Sequence, residues 1–117
     1  MSDELLLIQT YNLLYHLGLT ANYSGFFHTA RAVLLAAKEP QRLTGITKWL
    51  YPDVADHYHT TWHAVERNIR YSISILWEAH PNRLSDLAGY LLPGRPTPAK
   101  FISILSSVVS NRQKRST

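Results

Sequence analysis

Residues 51–79, YPDVADHYHTTWHAVERNIRYSISILWEA, decide the fold, because they predict a short helix, a tight turn and a longer helix. Pro52 suits the first turn of a helix, where its missing N–H would have no partner in any case. Asp53 places a negative charge beside the positive end of the same helix. After the turn, Thr60 or Thr61 can cap the N-terminus of the second helix with its hydroxyl oxygen.

The second helix of this stretch is amphipathic. Its apolar residues recur every three or four positions and form one stripe, at Trp62, Val65, Ile69, Ile73 and Leu76. The opposite side is polar and consists of His63, Arg67, Arg70, Tyr71 and Ser74, with Glu66 on its flank. The small Ala55 lets the two helices cross closely, and Val65 fits the angle between them. This layout is typical of a helix-turn-helix at about 52–79, although a helical hairpin with a solvated outer face has the same spacing.

The rest of the chain also predicts helices. Apolar spacing, with Gly18 and Pro40 as natural stops, predicts them over residues 5–17, 24–38, 41–50, 83–90 and 98–109. Residues 91–98 hold three prolines and a glycine and predict an extended loop. The fold class predicted is all-α, a single domain over residues 1–110 with about six helices around the helix-turn-helix. Residues 111–117 predict a basic, flexible tail.

Composition limits the class of protein. Hydrophobic residues make up 45% of the 117 residues, which is too many for a disordered chain, and the absence of cysteine excludes disulfides and thiolate metal sites. No apolar run approaches the roughly 20 residues that span a membrane, and residues 5–8 lack a basic leader. We therefore expect a cytoplasmic protein. The net charge of +4 permits a polyanionic partner, and the tail cations Arg112, Lys114 and Arg115 either contact phosphate or keep a mobile end soluble.

Three of the six histidines, His57, His59 and His63, lie close together. His59 and His63 have the four-residue spacing of two metal ligands on one helix. However, His59 falls in the predicted turn and no fourth ligand is evident. We therefore predict no metal site, and polar or phosphate-facing roles are favoured for these side chains.

The sequence also lacks the signatures of catalysis. There is no Gly-x-Ser-x-Gly elbow, and Gly94 stands alone among prolines instead of forming a phosphate-binding loop. Glu66 and Glu78 are too far apart on one helix to share acid–base work. We predict no enzyme and no cofactor, with a metal-dependent enzyme as a remote alternative. Packing rather than base stacking is favoured for the aromatic residues Trp49, Tyr51, Tyr58, Trp62 and Trp77.

Several segments, in order and almost without gaps, resemble a known family. They are Gly45-Ile46-Thr47-Lys48, Leu50-Tyr51-Pro52-Asp53, Thr60-Thr61, Val65-Glu66-Arg67, Ile69-Arg70, Gly89-Tyr90 and Arg95-Pro96-Thr97. The chain is similar, from about residue 13 to residue 109, to the C-terminal DNA-binding domain of the stage zero sporulation protein A. That protein is the response regulator that controls endospore formation in Firmicutes.

The resemblance implies a six-helix domain in which the second helix of the helix-turn-helix, starting near Trp62, reads a short DNA box. Carried over, Glu66 accepts a hydrogen bond from cytosine, while Arg67 and Arg70 contact guanine edges or phosphates. Lys48 and Thr60 lie where contacts to the DNA backbone are expected. Members of the family bind in tandem and pair through their last helix, here residues 98–109.

Two departures from the family pattern matter. The arginine that reads guanine in the family is replaced by Ala64, and His63 and Tyr71 also differ and can read something else. Only a short segment precedes the match, so we expect no receiver domain unless the chain is a fragment. The first hypothesis is a sequence-specific regulator of transcription that binds double-stranded DNA and is related to sporulation initiation. The alternative is a protein-interaction module or antagonist that pairs with a full-length regulator without reading DNA itself.

Overall fold

Several helices begin at a capping hydroxyl or a proline (Ser2, Thr61 and Pro81) or end at a glycine (Gly18 and Gly89). A computed structural model describes residues 2–116, with side chains described up to Arg112. The α-helices are α1 (Asp3–Leu17), α2 (Ser24–Lys38), α3 (Tyr51–His57), α4 (Trp62–Ala79), α5 (Pro81–Ala88) and α6 (Pro98–Ser116). Over that range the chain forms no strand, which confirms the all-α prediction. None of these described helices is both long and apolar enough to cross a lipid bilayer.

Helix α2 is the central element and packs against α1, α4 and α6. Its residues Ala30, Val33 and Leu34 are fully buried in the core. At its start, Gly25 allows α4 to approach closely, because a Cβ added there would overlap the Ser72 hydroxyl and the Asn68 carbonyl. The α2–α4 crossing therefore fixes how deeply α4 sits and which of its sides faces outward.

Residues 41–50 do not form the single helix that the sequence predicts. Instead, a 3₁₀ turn covers Pro40–Thr44 and a π-helical turn covers Ile46–Leu50. Gly45 separates them with an extended φ of −146° that is incompatible with a helix. A side-chain contact spans this break, since Arg42 donates a hydrogen bond to the Trp49 carbonyl at 3.1 Å. Local spacing carries no sign of that contact.

Two helix boundaries also differ from the prediction. Helix α5 starts at Pro81 and ends before Gly89, whose φ of 86° stops it, so it lies earlier than residues 83–90. Helix α6 continues past Val109 to Ser116, because no glycine or proline follows Pro98 to end it. Residues 110–116 thus belong to α6. The mobility of residues 111–117 stays a prediction, and the side chains of 113–117 lie outside the described part of the chain.

The packing interpretation of the aromatic residues is right for some positions and wrong for one. Tyr51 is buried, and Tyr58, Trp62 and Trp77 are partly buried against the core. Trp49 is 41% exposed and lies beside the guanidinium of Arg42, with 6.0 Å between that group and the indole centroid. Trp49 therefore contributes to the surface in front of α3 rather than to the core.

Candidate nucleic-acid interface

The turn between α3 and α4 has the tight geometry of a helix-turn-helix. His59 adopts a left-handed backbone with φ 55°, and the amide of Thr60 donates to the Ala55 carbonyl at 3.0 Å. The hydroxyl of Thr61 accepts from the amide of Ala64 at 3.1 Å. Of the two threonines that the sequence offers as a cap, Thr61 is the cap, and Thr60 is exposed at the turn.

The corner between the two helices is closed by apolar side chains. Val54 and Ala55 of α3 and Val65 and Ile69 of α4 all lie in the buried core. This arrangement confirms the predicted packing of the Ala55–Val65 corner. It also fixes the rotation of α4 about its axis, because the apolar stripe has one direction in which it can be buried.

The remaining side of α4 faces solvent. His63, Arg67, Arg70 and Tyr71 are all exposed, and Tyr71 reaches 59%. Ser74, the last member of the predicted polar face, is half-buried. Residues spaced by three, four or seven on a helix share a face. The structure therefore brings these side chains together on one outward surface, which we call the α4 outer face (His63, Arg67, Arg70 and Tyr71).

Glu66 and Arg70 form an ion pair on the edge of this face. Arg70 Nε lies 3.1 Å from Glu66 Oε1, and the side chains are 60% and 31% exposed, respectively. Such an i,i+4 pair contributes only about 0.3–0.5 kcal/mol to stability. Its main effect is orientation, because it holds the carboxylate and the guanidinium side by side. No ion pair is recorded for Arg67 among the described side chains, so its charge faces solvent directly.

Tyr51, which is buried at the start of α3, is influenced by the charges of this ion pair, a relation that the sequence interpretation did not identify. Burial, together with the negative charge of Glu66, raises the pKa of Tyr51 to about 12, and the positive charge of Arg70 partly opposes that effect. The phenol is therefore neutral at physiological pH. The signal available in the sequence was only an aromatic residue before Pro52, which predicts packing and says nothing of Glu66.

Two aromatic contacts limit the freedom of the outer face. The His63 ring stacks on Trp62, with 3.8 Å between centroids and an angle of 27° between the planes. Tyr71 packs against Tyr23, with 6.1 Å between the ring centroids. His63 and Tyr71 therefore each pack against another aromatic ring and still stay exposed. These are the two residues that depart from the family pattern.

On its other side, α4 is supported by a polar contact to α2. His28 is buried, and its Nδ1 lies 3.4 Å from Nδ2 of Asn68. Burial lowers the pKa of His28. Nearby, the Tyr58 hydroxyl donates to the carbonyl of Phe27 at 3.4 Å, which joins the turn to the same helix. These contacts connect residues far apart in sequence, so no local pattern predicts them.

Arg42 attaches the two short turns to the start of α3. Its Nε donates to Glu39 at 3.3 Å, and its Nη1 bonds both the Trp49 carbonyl and the carboxylate of Asp53. The hydrogen bond and charge of Asp53 are the main cause of the raised pKa of Arg42. Asp53 therefore pairs with a cation in addition to lying at the positive helix end. The sequence interpretation missed Arg42, because its partners lie up to eleven residues away.

Lys48 belongs to a separate part of the surface. It is exposed on the π-helical turn Ile46–Leu50, ahead of α3, whereas Thr60 is exposed on the turn that directly precedes α4. The structure thus groups the α4 residues and Thr60 along one helix and its entry turn. Lys48 lies on a different element, which contacts α3.

The histidines and the last helix are two further candidates for binding. Among the described residues, no three histidine, aspartate or glutamate side chains lie close enough to hold a metal ion. Helix α6 buries Phe101, Ile102, Leu105 and Val109 within the domain. Its exposed positions over residues 98–112 are Ala99, Lys100, Ser107, Asn111 and Arg112. The pairing of two copies through this helix stays a prediction.

The helix-turn-helix and its flanking helices coincide with a described protein family. A family model with the description "Sporulation initiation factor Spo0A C terminal" matches residues 10–109. The matched part runs from α1 into α6 and contains the whole of the α4 outer face.

Proposed function

The chain belongs to the family of the C-terminal domain of the sporulation initiation factor Spo0A, a family of DNA-binding effector domains rather than of enzymes, and on that premise we propose that it binds double-stranded DNA at a specific sequence. The single observation that carries the proposal is the outward direction of Arg67 and Arg70 on a helix whose opposite stripe is buried. The regulation in which it acts is related to sporulation initiation.

Helix α4 enters the major groove, which is about 12 Å wide and admits one α-helix. In helix-turn-helix proteins, residues near the start of the second helix contact the base edges. Here those positions carry His63, Glu66 and Arg67. Among these three residues, Arg67 carries a positive charge that has no ion pair with any described side chain. It therefore contacts a guanine edge or a phosphate.

Glu66 and Arg70 act together in this proposal. Their 3.1 Å ion pair holds a hydrogen-bond acceptor beside a donor before DNA arrives. Glu66 accepts from cytosine N4, and Arg70 contacts the guanine edge or a neighbouring phosphate.

Contacts outside the groove fix the position of the domain on the duplex. Thr60 at the entry turn and Lys48 on the π-helical turn contact the DNA backbone. Phosphate contacts of this kind set orientation and register but carry no base information. Tyr71, further along α4, contacts the groove wall where the helix leaves it.

Ala64 changes the sequence that is read. A methyl group cannot make the two hydrogen bonds that an arginine makes to guanine, and each such contact contributes about 1–3 kcal/mol of discrimination. His63, held by its stack on Trp62, is the neighbouring polar group at the start of the helix. The DNA box of this protein therefore differs from the family's usual box at the base pair that the missing arginine would read.

Selection of bound duplexes from a random pool tests the proposal. Enrichment of one short sequence by the native protein, and its loss in the Arg67→Ala variant, are the expected results. Arg95→Ala is a matched control, because Arg95 is exposed on the loop before α6 and pairs with Glu78 at 3.4 Å. Recovery of random sequence by all three proteins would contradict specific reading.

The presence of Ala64 where the family has an arginine favours a second candidate function. A domain that has lost its main guanine contact can act as an antagonist, which pairs with a full-length regulator through its last helix. A gel shift with the domain alone, together with a pull-down with the full-length regulator, distinguishes the two functions. Retarded DNA without any partner excludes the antagonist, whereas capture of the full-length regulator by a domain that retards no DNA excludes the stand-alone reader.

A further inference from the structure

Helix α1 is apolar on two opposite sides. One side buries Leu6, Leu13, Leu14 and Leu17 in the core. The other side carries exposed large apolar residues, which are Leu5 at 43%, Ile8 at 45% and Tyr15 at 51%. A surface helix normally presents a charged or polar side to water. The outward side of α1 therefore carries more apolar surface than a face that only contacts water, with the exposed Glu4, Asn12 and His16 beside it.

The exposed residues follow a regular spacing. Leu5, Ile8, Asn12 and Tyr15 are separated by three, four and three residues, and all four are exposed. At 100° per residue they fall within about 80° of the helix circumference. This is the spacing of the apolar seam in a two-stranded coiled coil, interrupted here by one polar residue, Asn12. We call these four residues the α1 seam.

We propose that the α1 seam pairs with the same seam of a second copy of this chain, in an antiparallel arrangement about a two-fold axis. The two-fold relation makes the contacts reciprocal. Leu5 of one copy meets Tyr15 of the second, and Ile8 meets Asn12. This surface is separate from the α4 outer face, so its existence does not depend on DNA binding.

The charges at the two ends of α1 favour the antiparallel direction. Asp3 and Glu4 lie in its first turn. At its other end, the guanidinium of Arg83 donates to the carbonyl of His16 at 3.0 Å. Asp3 already pairs with Lys38 within the same copy at 3.1 Å, so Glu4 is the acid that meets Arg83 of the second copy. A parallel pair would instead bring two acidic turns together.

The extent of the seam sets the strength of the pair. Helix α1 has 15 residues, which corresponds to about 22 Å of helix. Two such helices bury less than the roughly 1,200 Å² of a standard stable interface. Pairing is therefore weak and reversible in free solution, and it becomes significant when two copies are held close together.

Sedimentation equilibrium at protein concentrations up to about 1 mM, the range in which weak interfaces associate, measures the pair. The native chain is expected to form dimers. Ile8→Glu is expected to lower the association constant about 100-fold or more, because each copy loses one buried isoleucine. Leu91→Glu is the matched control, since Leu91 is 81% exposed outside the seam. A native chain that stays monomeric, or an Ile8→Glu variant that associates like the native chain, overturns the proposal.

Single cysteines test the direction, because the native chain contains none. A short thiol cross-linker should join Leu5→Cys to Tyr15→Cys in a mixture of the two variants, and should leave each variant alone uncrosslinked. Cross-linking of Leu5→Cys with itself overturns the antiparallel arrangement. As a gain of function, Asn12→Leu should strengthen pairing, since a polar residue in the seam lowers its stability. Unchanged or weaker association of Asn12→Leu counts against a seam of this kind.

Discussion

Replacement of Gly25 by alanine tests how closely α2 and α4 approach. The added methyl group would overlap the hydroxyl of Ser72 and, more importantly, the backbone carbonyl of Asn68. Ser72 can rotate, but its hydroxyl already donates to the Asn68 carbonyl at 2.9 Å. The carbonyl belongs to α4 and cannot turn away without a shift of that helix. The substitution therefore forces the two helices apart.

Two opposing effects set the size of the change. Alanine is favoured over glycine in a helix by up to about 1 kcal/mol. Overpacking of a well-packed contact costs about 1–3 kcal/mol. Because the overlap involves backbone, we expect the overpacking to prevail and the free energy of unfolding to fall by about 1–2 kcal/mol.

Urea unfolding measures this change as a lower midpoint at constant slope. Gly94→Ala is the matched control, because nothing lies within 4 Å of a Cβ at that position. The control should be as stable as the native chain or slightly more stable. Adding Ser72→Ala to Gly25→Ala should recover only part of the loss, since the Asn68 carbonyl remains. A Gly25→Ala variant as stable as the Gly94→Ala control would refute the close approach.

Three further predictions concern stability. Thr61→Ala should lower the free energy of unfolding by about 1 kcal/mol because α4 loses its cap, whereas Thr60→Ala should change thermal unfolding little. Arg42→Met should cost about 1–3 kcal/mol, since it removes charged hydrogen bonds from a side chain that is 12% exposed, and Arg67→Met should stay within about 0.5 kcal/mol in the same denaturation assay. The lowered pKa of His28 means that the unfolded state binds more protons just below the ordinary value of 6.5. The contribution of His28 to the free energy of unfolding should therefore be fully present above that pH and decrease below it. His28→Gln should make this decrease smaller in urea titrations at several pH values.

Much of the helix-turn-helix could be predicted from local signals. The bounds of α4, Trp62–Ala79, match the prediction at both ends. This agreement has a physical basis, because a capping threonine, an uninterrupted apolar stripe and His80-Pro81 are all local features. The same stripe correctly predicts that Arg67 and Arg70 face outward.

What the sequence did not reveal depends on contacts between distant residues. Arg42 connects residues whose spacing matches neither a helical nor a strand period. Its hydrogen bond to the Trp49 carbonyl links the two turns that replace a single helix over residues 40–50. The influence of the Glu66 charge on Tyr51 depends on how α3 and α4 cross, which the sequence does not give. The apolar residues on the second side of α1 are visible in the sequence. However, an apolar residue predicts burial without showing whether the domain's own core or a second molecule covers it.

The dependence of DNA affinity on salt tests the central claim most directly. Affinity for the selected duplex would be measured between about 50 and 200 mM salt for the native chain, Arg67→Ala and the Arg95→Ala control. A lost guanine contact should weaken binding by about 10-fold or more at every salt concentration. A lost phosphate contact should reduce the slope of log K against log salt by about 0.9. Arg95→Ala should match the native chain, and an Arg67→Ala variant with native affinity and native slope would contradict DNA binding by the α4 outer face.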